Sequence, residues 1–554
     1  MKTTPRLCLR YPFTASLVVF SLLASTPQLF PAVAVELPKP DRNGVTTAIA
    51  GPYDYGVMGP PATNEIVAAA DKAVTKPMAK GPIVPTWDSL QKNYQTPSWF
   101  QDAKFGIFMH WGIYSVAAHH NEWYEKYMYA GGADTTWHLQ NFGTLETAGY
   151  KNLIPLFTAK NWDPDAWATL FKKAGAKFVV PTAEHHDNFA NWDSQVTPYN
   201  AKRMGPMRDL IGDLGAAVRK QGLKFGVSNH GMEHFTFVNP SNAINDELKA
   251  AKADLYDPNW TEFYNVADRS DAAMTRFLTD WVNRNLELID KYQPDILWFD
   301  NGVNLRVLDP LKLHVAAYYY NRAKEWGKEV TLSTKFNAYA PSNDDKKQIG
   351  SIVDFEKVSA RSPADIRPGP WMVDDPIGSP SWDYTEGMTI ASAPTILGKI
   401  IDTVSKDGTY MLNISPMADG TIPQNQQTTL LGIGAWLDVN GEAIYSTRAW
   451  TKFMEGGTGR GALNYHFTTK GDTLYAISSN WPGPQAVITS LAKDTVPTKD
   501  KIKVELLGHD GALEYTQDAE GLKVTLPTDH PAGGANYFTL KISGLNLHAP
   551  ATTP

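Results

Sequence analysis

The sequence of 554 residues has one cysteine, no excess of basic residues and no long apolar stretch. Because Cys8 lies in an N-terminal segment that we predict to be removed, the mature chain would lack disulfides, thiolate metal sites and cysteine nucleophiles. The 51 Lys and Arg are outnumbered by 58 Asp and Glu, so nucleic acid is not an expected partner. No stretch reaches the roughly 18 apolar residues of a membrane-spanning helix, so we expect no membrane anchor.

The first 34 residues have the pattern of an export signal. Basic residues within 2–10 precede an apolar stretch at 16–24, and Ala-Val-Ala at 32–34 matches a small-x-small cleavage site. We therefore predict an exported protein, periplasmic or secreted and bacterial, whose mature chain begins near Val35.

Three further regions follow the predicted signal. Residues 35–95 are rich in Pro, Gly, Ala and Thr and predict an extended arm with one short helix, Glu65 to Val74. Residues 96–450 alternate short apolar runs with amphipathic helices, which is typical of repeated βα units. Residues 451–554 contain short runs separated by Gly, Asp and Pro, which predict an antiparallel β-sandwich.

The alternation over 96–450 predicts a (β/α)₈-like TIM barrel. Helices are expected at 163–175, 209–222, 271–292, 318–326 and 396–404. Seven strand candidates accompany them: FGIFMHWG (105–112), KFVVPTAEHHDNF (177–189), LKFGVSNH (223–230), PDILWFDNG (294–302), VTLST (330–334), IVDFE (352–356) and YMLNIS (410–415). The stretch 357–392 shows little periodicity, so the count of strands is seven or eight.

Several of these strands end in residues suited to glycoside chemistry, at the end where such barrels place their active sites. A retaining glycosidase needs an ionised carboxylate and a protonated carboxyl about 5 Å apart. Asp300 follows four bulky apolar residues and precedes a tight turn, so we predict that it is the nucleophile. Glu356 also ends an apolar run, so we predict that it is the acid/base. The alternatives are a capping role for Asp300 and a surface or ion-paired role for Glu356.

Imidazoles, carboxylates and indoles near the same strand ends are suited to sugar hydroxyls, because they donate or accept in fixed directions and offer stacking faces. These candidate binding residues are His110, Trp111, Glu122, Trp123, His185 and His186. The same residues would alternatively hold a divalent metal, but no helical His spacing of a metal motif is present. We therefore predict neither a metal nor a cofactor.

The motifs together resemble the α-L-fucosidases of glycoside hydrolase family 29. The resemblance is carried by FGIFMHWG, EWYEKYM (122–128), AEHHDNFANWDS (183–194), PDILWFDNG and GAWLDVNGEAIYSTRAW (434–450). It implies an exo-acting, retaining hydrolase that releases terminal α-linked L-fucose by double displacement without a cofactor. It also implies that Asp300 is the nucleophile, Glu356 (in DFEK) the acid/base, and the residues above ligands of fucose.

Two positions depart from the family pattern. Asn188 replaces the usual Gly of HHDGF, which is expected to affect the loop beside the sugar. His230 stands where many members have a Tyr contact after this strand, so we include it among the substrate-binding residues.

Three other functions stay open at this stage. The glycon could be a related sugar, an α-galactoside or an L-galactoside, because these share hydroxyl orientations with fucose. The barrel could be an inactive carbohydrate-binding protein, or a metal-dependent hydrolase. The expected partner is a fucosylated oligosaccharide or glycoconjugate; the linkage and the oligomeric state do not follow from the sequence.

Overall fold

The structure, a computed structural model, describes residues 59–335, 338–342, 347–358, 362–458, 461–531 and 536–547. The predicted export signal and most of the first half of the predicted arm lie outside these ranges. Within them, no helix is both long and apolar enough to cross a membrane.

Eight parallel strands form a closed barrel, which confirms the predicted fold class. The strands are β1 Phe105–Met109, β2 Phe178–Glu184, β3 Lys224–Asn229, β4 Ile296–Phe299, β5 Thr331–Lys335, β6 Ile352–Asp354, β7 Trp371–Pro376 and β8 Thr409–Ile414. Their order around the barrel is β1-β8-β7-β6-β5-β4-β3-β2. Because all neighbouring pairs are parallel, their C-terminal ends meet at one rim.

The strand β7 lies in the stretch where the sequence shows little periodicity. Its first five residues are all buried, including Asp374 and Asp375. A strand buried on both faces lacks the apolar–polar alternation that marks a half-exposed strand, and two adjacent carboxylates obscure what remains.

The barrel interior is filled rather than open. Phe108, Phe178, Ile296 and Trp298 belong to one buried cluster that also contains Met411. Gly106 on β1 leaves the room that the Phe178 ring occupies, because a Cβ at this position would collide with that ring. The filled interior excludes a binding site inside the barrel, and barrels of this kind place their sites at the rim.

Helices surround the barrel, and their starts follow the sequence signals. The side chain of Asp163 caps the helix that begins at Pro164, accepting a hydrogen bond from the Ala166 amide at 3.1 Å. The α-helices are Asn64–Ala73, Trp87–Asn93, Ser98–Ala103, Tyr124–Met128, Ala133–Asn141, Pro164–Lys173, Leu210–Lys220, His234–Phe237, Asn242–Ala250, Thr261–Tyr264, Asp271–Tyr292, Asp309–Glu325, Ala393–Ser405 and Gln424–Asn440.

The segment before the barrel contains more structure than the predicted arm with one helix. Asn64–Ala73 packs against Asp271–Tyr292 and Asp309–Glu325 through its buried Ile66 and Val67. The additional helix Trp87–Asn93 begins at Thr86, whose side chain caps it. Seven residues with one buried leucine give too little periodicity for recognition from sequence.

After the barrel, two antiparallel sheets share a hydrophobic core, which confirms the predicted C-terminal β-sandwich. Phe467 and Leu474 of one sheet and Ile488 and Val524 of the other belong to the same cluster. The five-stranded sheet contains Arg448–Gly456, Asn464–Lys470, Thr473–Ser478, Phe538–Leu545 and Thr498–Leu506; the three-stranded sheet contains Gln485–Ile488, Gly521–Thr525 and Tyr515–Asp518.

Candidate active site

Four histidines cluster where β1, β2 and β3 end. His110 directly follows β1, His185 and His186 follow β2, and His230 follows β3. The ring centroids of His185 lie 4.2 Å from His186, 4.9 Å from His230 and 5.3 Å from His110. All four side chains are buried. We call these four residues the histidine wall.

Burial keeps the histidine wall uncharged. Desolvation lowers the pKa of His110 and His185 well below the usual value, and it lowers the pKa of His186 to about 3. The pKa of His230 is also lowered by burial, although the hydrogen bond to Asp300 opposes the shift. At neutral pH each ring therefore has one donor and one acceptor nitrogen.

The hydrogen bonds of His230 fix its tautomer. Its Nδ1 lies 2.9 Å from the Oδ2 of Asp300, and its Nε2 lies 3.0 Å from the Ser228 hydroxyl. Because an ionised Asp300 only accepts, His230 carries its proton on Nδ1 and accepts from Ser228 through Nε2.

Asn413 on β8 orients His110 in the same way. The Asn413 amide donates to the Trp382 carbonyl at 2.6 Å, which leaves its Oδ1 to accept from Nδ1 of His110 at 2.8 Å. The Nε2 of His110 is then an acceptor, to which a hydroxyl group of a ligand can donate.

Charged side chains occupy the ends of β4 to β7. Asp300 directly follows β4, Lys335 ends β5, Glu356 lies two residues beyond β6, and Asp374 lies within β7. The Lys335 Nζ lies 3.2 Å from Asp300, 3.3 Å from Glu356 and 3.7 Å from Asp374. We call these four residues the charged wall. Since Asp300 and Glu356 both contact one nitrogen, their carboxylates lie close to each other.

Lys335 and His230 keep Asp300 ionised. Burial alone would raise the pKa of Asp300, but the Lys335 ammonium and the His230 hydrogen bond hold it well below its usual value. Asp300, Asp374 and Glu356 in turn raise the pKa of Lys335 well above its usual value, although burial opposes this shift.

Asp374 differs from Asp300 although both contact Lys335. It is buried, and neither of its carboxylate oxygens has a hydrogen-bond partner among the described residues. Burial and the neighbouring Asp354 raise its pKa well above the usual value, although Lys335 opposes the shift. Asp374 therefore holds a proton more readily than Asp300.

The loop after β1 places Glu122 and Trp123 at the edge of the site. The Glu122 carboxylate accepts from the Ser381 hydroxyl at 3.1 Å and from the Trp382 amide at 3.0 Å. The Trp123 ring contacts His186, with centroids 6.1 Å apart. Trp123 therefore adjoins the histidine wall directly, and Glu122 adjoins it through Trp382, whose ring centroid lies 5.3 Å from that of His110.

The structure does not bring Trp111 into this site. Its ring packs among Phe157, Trp162 and Trp167, and its Nε1 donates to the Met417 carbonyl at 2.8 Å. Trp111 directly follows His110, but consecutive residues of extended backbone point to opposite faces. We correct its predicted binding role to one in packing.

Asn188, one of the two departures, takes the left-handed conformation with φ 60°. Asn adopts this region more readily than most residues other than Gly. Its amide donates to the carbonyls of Glu262 and Phe263, each at 2.9 Å. These bonds secure a turn that directly follows His185 and His186.

Four residues of the site were not predicted: Lys335, Asp374, Trp382 and Asn413. Lys335 had a detectable signal, because it extends the apolar run VTLST by one residue and ends that strand like the other candidates. Asp374 and Asn413 lie inside strands, and Trp382 lies in a loop. None of the three therefore ends an apolar run.

Among the residues that the structure describes, two sets of side chains have donor atoms close enough together for a metal ion: His110, His185 and His230, and also His186, His230 and Asp300. Both sets include His230, whose two nitrogens already bond to Asp300 and Ser228. Lys335 also places an ammonium beside Asp300, which disfavours a second cation there. The donors therefore fit a neutral polyhydroxylated ligand better than a metal.

Comparisons with known proteins agree over both parts of the chain. Residues 71–442 match the family described as alpha-L-fucosidase, and residues 460–543 match the alpha-L-fucosidase C-terminal domain. Tissue alpha-L-fucosidase of Rattus norvegicus is 31% identical over 480 residues, which cover 83% of this chain and 93% of that protein. The human tissue alpha-L-fucosidase is 30% identical over 471 residues, covering 83% and 92%.

Solved structures also resemble this chain. The Thermotoga maritima alpha-fucosidase has a TM-score of 0.65 and 29% identity, and the match covers 83% of this chain and all of that one. A structure of the same enzyme in complex with fucose gives the same TM-score, 0.65, and 29% identity, covering 83% and 99%.

Proposed function

Because this chain belongs to the α-L-fucosidase family of glycoside hydrolases, we propose that it releases terminal α-linked L-fucose from glycans by a retaining double displacement. The observation that supports this proposal is that Asp300 and Glu356 both contact Lys335, at 3.2 and 3.3 Å from its Nζ. Retaining enzymes need two carboxyl groups only about 5 Å apart, and contact with one ammonium holds these two close to each other.

In the first step, a carboxylate oxygen of Asp300 attacks the anomeric carbon while Glu356 gives its proton to the departing glycosidic oxygen. The bond to the leaving sugar breaks and an ester between fucose and Asp300 forms. In the second step, Glu356 takes a proton from water, and the water oxygen displaces Asp300 from the anomeric carbon. Fucose leaves with its original anomeric configuration.

Lys335 and His230 would prepare Asp300 for attack. Both keep Asp300 ionised, and the single hydrogen bond from His230 fixes the carboxylate while leaving its other oxygen toward Lys335. His110, His185 and His186, with Glu122 and Trp123 at the edge, would bind the fucose hydroxyls as acceptors and donors of fixed direction.

Fucose differs from most hexoses in the methyl group on C5, which requires an apolar contact. Phe237 lies against His186, with ring centroids 4.7 Å apart, and against Trp123, at 5.7 Å. Such a ring beside the hydroxyl-binding side chains is suited to a methyl group. The Thermotoga maritima relative was solved with fucose, which supports the same glycon here.

The test follows the hydrolysis of an aryl α-L-fucoside by NMR and records which anomer of fucose appears before mutarotation. Early α-fucose supports the proposal, and early β-fucose would refute the retaining course. The same assay with aryl α-galactoside and L-galactoside separates the related glycons, and binding of fucose without turnover would indicate an inactive binding protein. Activity that a chelator abolishes would instead indicate a metal-dependent enzyme.

We also propose that the protein is exported, on the basis of the N-terminal sequence pattern alone. The test is N-terminal sequencing of the protein recovered from its native source. A start near Val35 supports export, and an intact N-terminus would refute processing at this site.

A further inference from the structure

A row of aromatic side chains leads away from the histidine wall along the loop and two short helices that follow β1. Its members, in spatial order, are Trp123, Tyr127, His120, His119 and Trp137. Centroids of neighbouring rings lie 6.4, 4.6, 6.4 and 3.9 Å apart. We call these five residues the aromatic row. It joins the catalytic site at Trp123, which contacts His186.

The two histidines of the aromatic row are held in place by one carboxylate. Asp134 lies 2.9 Å from Nε2 of His119 and 2.9 Å from Nδ1 of His120. The His119 ring is nearly parallel to that of Trp137, at an interplanar angle of 4°, and the His120 ring stacks on Tyr127 at 19°. The rings are therefore ordered by specific contacts, unlike aromatic side chains scattered singly over a surface.

The backbone of the loop that carries His119 and His120 is strained. Ala118 has φ 49° and His120 has φ 62°, so two residues out of three take the left-handed conformation. This conformation costs roughly 1 kcal/mol for a residue with a Cβ. The Ala118 carbonyl accepts from the Glu386 amide at 2.9 Å, which ties this loop to the loop that carries Trp382. Strain of this kind is concentrated at ligand-binding segments.

The accessible surface of the aromatic row suits a neutral sugar. The His120 side chain is 42% exposed and that of His119 is 29% exposed, while Trp123, Tyr127 and Trp137 are half-buried. Pyranose rings have an apolar face of C–H groups and hydroxyl groups at the rim. Half-exposed rings offer apolar surface, and Asp134 with two imidazoles offers hydrogen-bonding groups beside it.

We propose that the aromatic row binds the sugar residues to which the terminal fucose is attached. This inference rests on the proposed function, because it names the residues that would contact the part of the glycan next to the terminal fucose. The row starts at the edge of the fucose site and continues over four further rings, so the bound segment is longer than one sugar. An aglycon of one small ring would leave His119 and Trp137 without contact.

The test compares kcat/KM for an aryl α-L-fucoside and for fucosyllactose in the full-length protein, in His120→Ala and in Trp137→Phe. His120 is exposed, so its replacement is not expected to impair folding. His509→Ala, which removes an exposed histidine of the C-terminal sandwich, is the matched control.

We expect kcat/KM for fucosyllactose to fall about fivefold in His120→Ala, the size of one lost ring contact, with the loss mainly in KM. The kcat/KM for the aryl fucoside should stay within about twofold of its value in the unmodified protein, which is the scatter expected for a surface substitution.

Four outcomes separate the possibilities. A selective loss for fucosyllactose in both row variants and none in His509→Ala supports the inference. Equal losses for both substrates overturn it, because they indicate a disturbed loop. No loss for either substrate also overturns it, while the proposed function stands. If the unmodified protein hydrolyses neither fucoside, the proposed function fails and this inference fails with it.

Discussion

The histidine wall and the charged wall face each other at one rim of the barrel, but burial acts on them in opposite ways. The four imidazoles of the histidine wall lose their charge, because no neighbouring anion compensates for their desolvation sufficiently. Asp300 and Lys335 keep their charges under similar burial, because each is the counterion of the other. This difference supports the proposal that His110, His185 and His186 bind hydroxyl groups and that the charged wall cleaves the bond.

The largest expected effect concerns Asp300, because both chemical steps require it. Asp300→Asn should lower kcat for an aryl fucoside by at least about a thousandfold, measured by steady-state kinetics. Asp295→Asn is a matched control, because Asp295 precedes the same strand β4 at the opposite end of the barrel, where it bonds to the Phe225 amide at 3.0 Å. The control should lower the melting temperature and leave kcat nearly unchanged. Equal kcat values for the two variants would contradict the assignment.

The next effect distinguishes the two remaining carboxyl groups of the charged wall. Glu356→Gln should lower kcat for fucosyllactose by roughly a hundredfold or more, the usual size of general acid catalysis. The loss should be smaller for an aryl fucoside, whose leaving group needs little protonation, and azide should restore part of that rate. Asp374→Asn provides the comparison. If azide rescues Asp374→Asn and not Glu356→Gln, the acid/base is Asp374.

The third prediction concerns the ammonium of Lys335, which helps to keep Asp300 ionised. In Lys335→Met the pKa of Asp300 should rise, because burial raises this pKa and the ammonium that opposes it most strongly is then absent. A protonated Asp300 cannot attack, so the acidic limb of the pH profile of kcat/KM should move to higher pH. Lys335→Arg keeps the charge, and Lys357→Met removes a cation that contacts Glu356 instead, at 3.7 Å. An acidic limb that stays in place in Lys335→Met would refute this role.

The smallest effect is expected at Trp111, which adjoins the histidine wall in sequence but not in space. Trp111→Phe keeps a ring in the aromatic cluster and removes the hydrogen bond to Met417. The free energy of unfolding should fall by about 1 kcal/mol, measured by denaturant titration. The value of kcat/KM should change little. A loss comparable to that of His110→Ala, measured in parallel, would return Trp111 to the binding residues.

The histidine wall could be predicted from sequence because each of its members follows a recognisable apolar run. The same rule finds Asp300 and misses Lys335, since the run VTLST ends at Thr334, one residue before the strand does. Asp374 lies inside a strand without alternation, and Asn413 lies inside β8. Their roles depend on which strands become neighbours when the barrel closes, and no local pattern contains that information.

The direction of a side chain was also beyond the sequence. Trp111 and His110 are adjacent, yet one packs outside the strand layer and the other joins the site. The electrostatic difference between the walls likewise follows from the position of one ammonium, Lys335, relative to three carboxyl groups. Composition and spacing identify Asp300 and Glu356 but not Asp374, and they do not show which carboxyl group is protonated.

The most direct test of the division between the walls is mass spectrometry of the protein after treatment with 2-fluoro-fucosyl fluoride, which slows the second step and traps the ester. We predict one added fluorofucosyl group on the peptide that contains Asp300, and none in Asp300→Asn. A group attached to Glu356 or Asp374 would contradict the assignment of the nucleophile. Rapid turnover that forms β-fucose without any trapped ester would contradict double displacement itself.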